Sequence, residues 1–118
     1  MATTNSFDNY VMRISGGNED RVGLLMCYSG NSFVGRIDFF PDGVAMPQDY
    51  LWHTTPTKEC VVLHMPMSRF ESIMSTVRVE KPLHLYIDVN RGIGAFTRGH
   101  GHLATTDKEP IGEEEGTP

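Results

Sequence analysis

The stretch SRFESIMSTVRVEKPLHLYIDVNRGIGAFTRG, residues 68–99, decides the fold. Phe70, Ile73, Met74 and Val77 fall at i, i+3, i+4 and i+7, so a period of about 3.6 residues places them on one stripe of a helix. Ser68 followed by Glu71 reads as a capping box, and the helix is predicted over about 69–79. Pro82 has no amide to give a helix and holds its predecessor extended. Leu83, Leu85, Ile87 and Val89 then alternate with His84, Tyr86 and Asp88, the period of a strand with one buried face. Asn90-Arg91-Gly92 is predicted as a three-residue hairpin loop that pairs Val89 with Ile93. In that register Tyr86 opposes Phe96 and His84 opposes Arg98 on the outer face.

Working outward, Tyr10 to Ile14 reads as a short strand. Arg21 to Tyr28 is apolar on both faces, with Val22, Leu24, Met26 and Tyr28 on one and Leu25 and Cys27 on the other, the mark of a central strand. Phe33 to Phe40 returns as its hairpin partner, with Phe33, Ile37 and Phe39 on one face and Arg36 and Asp38 on the other. Cys60 to Met65 feeds the helix, Val61, Leu63 and Met65 inward, Val62 and His64 outward. Residues 1–8 have no periodicity and read as a loose arm. Pro41-Asp42-Gly43 is a turn, after which Val44 to Met46 would begin a return strand. Pro47 to Glu59 has no pattern, and its Tyr50, Trp52 and His53 suggest a flap over one end of the core. The sum is an α+β domain: a bent antiparallel sheet or small β-barrel of six to seven strands with one helix before the last hairpin. An OB-like barrel is the nearest architecture, an analogy of topology that carries no function.

The net charge of -5 is unevenly spread. Asp107, Glu109, Glu113, Glu114 and Glu115 against Lys108 alone put -4 of it in residues 107–118, read as a disordered acidic tail behind a single domain over 1–106. A body so close to neutral does not offer the basic surface that nucleic acid requires. No apolar run approaches the roughly 18 residues of a spanning helix, so no membrane is expected. The first residues lack a basic and apolar leader, so the expected compartment is cytoplasmic. Cys27 and Cys60 lie in apolar runs and read as packing residues.

His100 and His102, at i and i+2 on an extended chain, point the same way and are the candidate metal ligands. With Asp107 they resemble the ligand order of cupin metal sites, although no further strand with another histidine follows. Arg91 to Phe96 resembles the start of the RNA-recognition motif, with Ile93 and Ala95 where that motif carries stacking rings. What remains is an outer-face set, His64, His84, Tyr86, Phe96 and Arg98, with Tyr50 and Trp52 beside it. Aromatic rings, imidazoles and an arginine on one face suit a binding surface. The expected function is a non-enzymatic interaction or binding module acting as a homodimer through the Tyr86/Phe96 face, without a cofactor. The alternative is a small ligand-binding or metal-dependent enzyme with a His-lined pocket under the Trp52 loop.

Overall fold

The computed structural model describes residues 2–14, 21–55, 58–79, 83–89 and 96–105. In chain order it contains β1 (Ala2–Phe7), β2 (Asn9–Ile14), β3 (Gly23–Ser29), β4 (Ser32–Phe40), β5 (Asp49–Thr55), β6 (Lys58–Pro66), α1 (Phe70–Val79), β7 (Leu83–Val89) and β8 (Phe96–Thr105). The eight strands form one sheet in the order β1-β7-β8-β5-β6-β4-β3-β2. The two outermost strands of that order, β1 and β2, are consecutive in sequence with only Asp8 between them. One bent N-terminal strand therefore serves both ends of the sheet and rolls it into a nearly closed barrel.

The seam is the segment expected to be a loose arm. Its sequence is polar because its hold is backbone pairing, from Ala2 opposite Asp88 to Phe7 opposite Leu83, and Phe7 alone drops a large apolar side chain into the core. At the bend, the Asp8 amide donates to the Tyr28 carbonyl at 3.0 Å, and the Asp8 carboxylate accepts the Gly30 amide at 3.1 Å. Further along, Asn5 Nδ2 donates to the carbonyls of Val34 at 3.0 Å and Glu59 at 2.8 Å, tying β1 to β4 and β6.

The core gathers the inward residues of every layer: Leu25 and Cys27 of β3, Ile37 and Phe39 of β4, Leu51 of β5, Val61 and Leu63 of β6, Leu85 and Ile87 of β7. The helical stripe behaves as its spacing requires. Met74 and Val77 are buried, Phe70 and Ile73 pack against the same cluster, and the Phe70 ring meets Phe39 edge-on at 5.4 Å. Two glycines let the strands close up. A Cβ at Gly35 would collide with the Val61 carbonyl oxygen and a Leu85 methyl, and one at Gly101 with Leu63 and the Tyr86 carbonyl oxygen.

Several expectations are corrected. Among the described residues the sheet has eight strands, beyond the six to seven expected, and it is not wholly antiparallel, since β4 and β6 run parallel. The supposed flap contains β5, a central strand between β6 and β8. Its aromatic and Thr-rich composition suits a pleated surface, and Leu51 is its buried inward residue. Val44 to Met46 is exposed and is not a strand. The capping box is replaced: Pro66 leads into a 3-10 turn at Met67–Arg69, and the Ser68 amide donates to the Asp42 carboxylate at 2.9 Å from the earlier turn. The last hairpin pairs Val89 with Gly99, not Ile93, so Tyr86 faces His102 and His84 faces Ala104. Phe96 and Arg98 instead pair with Trp52 and Tyr50 of β5, and the chain past Gly99 stays in the sheet to Thr105. The Asn90–Gly92 loop and the acidic tail over 107–118 lie outside the described residues.

Candidate functional site

Strand alternation points Arg36 and Asp38 of β4 away from the core, and the parallel pairing with β6 places His64 beside Asp38. Asp38 is 3% exposed and is the one buried charged residue among those described. A carboxylate out of water must be paired, and Asp38 is paired several times. Arg36 Nε donates to both its oxygens, at 3.0 and 3.2 Å, and Arg21 Nη1 donates to Oδ1 at 3.2 Å. Arg36 is held from its other side as well. Its Nη2 donates to the Tyr50 hydroxyl at 3.2 Å, and its guanidinium carbon stands 5.8 Å from the centre of the Trp52 ring.

His64 lies behind this pair. Its side chain is 4% exposed, with Nε2 3.9 Å from Asp38 Oδ2 and Nδ1 3.3 Å from Asp49 Oδ1. The Phe40 and Tyr50 rings flank it, each 5.7 Å away. Asp49 is itself anchored to backbone, accepting the His64 amide at 2.7 Å and the Gly101 amide at 3.1 Å. The row Asp38–His64–Asp49 thus ties β4, β6, β5 and β8 together on the outside of the barrel.

In front of the row lies a groove of about 480 Å³ lined by Arg13, Arg21, Leu24, Met26, Tyr28, Phe33, Arg36 and Trp52. Leu24 and Met26 come from the second apolar face of β3, which explains why that strand is apolar on both sides. Phe33 was expected beside Ile37 and Phe39, but a bulge puts it here. Cys27 pairs with Gly35 while Tyr28 pairs with Phe33, so Val34 is the extra residue and the alternation reverses across it. Phe33 turns outward against Tyr28, ring centres 5.7 Å apart, and Val34 packs on the core in its place.

The sequence-predicted site residues divide into two groups. Tyr50, Trp52 and His64 are joined through Arg36 and Asp38. Tyr86 belongs elsewhere, on β7, stacked on His102 at 4.5 Å and 26°. His84 is on the same strand, and its buried Nδ1 has no hydrogen-bond partner among the described residues. Phe96 and Arg98 contribute backbone beside Trp52 and Tyr50. His100 and His102 do share the outer face of β8, with Asp88 opposite His100. Among the described residues, no group of three or more His, Cys, Asp or Glu is placed to hold a metal ion. Both cysteines are buried, and desolvation pushes the Cys27 thiol far above its ordinary pKa, so it is not held ready as a thiolate.

Arg13, Arg21 and Arg36 were absent from the predicted set. Their signal was available as a combination: an outward apolar row on β3 next to arginines on β2 and β4, with Arg21 just ahead of β3. What could not be read was Phe33's reversal. Comparison of the chain with protein-family models, curated proteins and solved structures returns no match.

Proposed function

We propose that this chain is a binding module that takes a small ligand in the groove beside Trp52. The observation that carries this reading is the meeting of three guanidinium groups and three aromatic rings around an apolar floor. Its volume of about 480 Å³ falls inside the range of roughly 300–1,000 Å³ typical of ligand pockets, which likewise combine apolar walls with a few fixed polar groups. The charged groups support binding over chemistry. Guanidinium stays protonated and donates without exchanging its proton, and the one carboxylate of the cluster is committed to two of the arginines. Buried partners hold Arg36 in place before a ligand arrives, which lowers the ordering cost of binding.

Trp52 is the only tryptophan of the chain, so its indole reports on this groove alone. A fragment library screened by heteronuclear NMR on the ¹⁵N-labelled chain tests the reading. Hits are expected to move the Trp52 indole resonance together with the amides of Leu24, Met26 and Arg36. Hits that cluster on another surface, with these signals unmoved, overturn it.

A further inference from the structure

Resting on that reading, we infer the class of ligand: an organic anion with a flat apolar body, a carboxylate or phosphate at one end and an unsaturated ring system at the other. The charge of the lining gives the sign. Arg13, Arg21 and Arg36 line the groove, no carboxylate stands among its described lining residues, and Asp38 is packed behind Arg21 and Arg36, so the groove is cationic although the whole chain carries -5. An anion entering here replaces water around Arg21 and Arg36, whose guanidinium groups are already held by Asp38.

The donor geometry gives the end group. Arg36 gives Nε to Asp38 and one Nη2 hydrogen to Tyr50, and among the described residues Nη1 has no acceptor. The guanidinium hydrogens that remain suit the oxygens of a carboxylate or phosphate. Asp38 and Tyr50 hold the guanidinium in place. Arg13, exposed on β2, supplies a third positive charge at the rim.

The walls give the body. Trp52, with the Arg36 guanidinium carbon 5.8 Å from its ring centre, lines the groove together with Leu24, Met26 and the edge-to-face rings of Tyr28 and Phe33. A flat ring lying against these side chains gains stacking and apolar contact that a bare inorganic anion cannot make.

Four probes test the inference on the full chain by calorimetry and by the Trp52 indole resonance: 2-naphthoate, 1-naphthyl phosphate, neutral 2-naphthamide and inorganic phosphate. The two ring-bearing anions are expected to shift the indole saturably and to bind at least about tenfold more tightly than either control. Arg36→Gln should remove about tenfold of the preference for naphthoate over naphthamide. Arg13→Gln, at an exposed position that does not threaten folding, should weaken both anions by about threefold. If naphthamide binds as well as naphthoate, the anion is wrong while the groove remains a binding site. If phosphate alone matches the naphthyl compounds, the flat body is wrong. If no probe moves the indole but fragments do, the inference falls and the binding reading stands; if neither does, both fall.

Discussion

Two outward patches of this barrel use the same kinds of residue and are built differently. The groove on β2 to β5 sets Tyr28, Phe33 and Trp52 beside three arginines, two of which rest on a buried carboxylate. The patch on β7 and β8 sets Tyr86 against His102, ring on ring, with His102 exposed to solvent. Sequence alone favours the β7/β8 patch, because its aromatic and imidazole side chains alternate cleanly along one strand. The groove is the better site for a reason composition does not show. Two of its three arginines are fixed from behind by Asp38, which His64 and Asp49 back in turn, and a bulge turns Phe33 into it. The stacked pair has no buried charge behind it among the described residues, and the cavity that His102 lines with Met65, Ile73 and Leu83 is smaller, about 270 Å³.

The sharpest way to break this comparison is to remove the support. Asp38→Ala should leave Arg21 and Arg36 facing each other and His64 without its neighbour, and is expected to cost about 3 kcal/mol, the low end for breaking a buried ion pair because both arginines are partly exposed. Urea unfolding would read it as a fall in the midpoint with the slope unchanged. An effect below about 1 kcal/mol would mean that Asp38 does not organise the groove. On the other patch, Tyr86→Ala should cost only about 1 kcal/mol, and a double-mutant cycle with His102→Ala should assign about half of that to the stack. Smallest of all, Arg13→Gln should shift stability by less than about 0.5 kcal/mol in either direction, since it lies on an exposed strand position. An order of effects other than Asp38, Tyr86, Arg13 would show that the two patches do not differ in the way their geometry says.

Much of the fold was legible where a period was long enough to read. α1 ends within a residue of its expected bounds, and β3, β4, β6 and β7 bury the faces their alternation selects, with Phe33 as an exception at the bulge and Val62, expected outward, buried as well. The last hairpin is instructive. Its register moved from Val89–Ile93 to Val89–Gly99, an even number of positions, so the inward and outward faces survived while every partner changed. Local signals assign faces; they do not choose partners. β1 and β5 were illegible for another reason. Their side chains are polar or mixed, and what makes them strands is pairing on the sheet, with distant β7 for β1 and with both its successor β6 and distant β8 for β5. The candidate site inherits this limit, because the parallel contact that sets Asp38 against His64 joins two strands that nothing local brings together.

The seam strand has one consequence for how the molecule is made. β2 pairs with β3, its immediate successor, whereas β1 waits for β7 and its partner for Ala2 is Asp88. During synthesis β2 can therefore dock on β3 almost at once, whereas β1 must wait until β7 has emerged. Until then the nascent barrel holds β1 tethered but unpaired, with its backbone donors and acceptors turned to whatever is nearby, and it is in this interval that the chain is most open to mispairing with a neighbour.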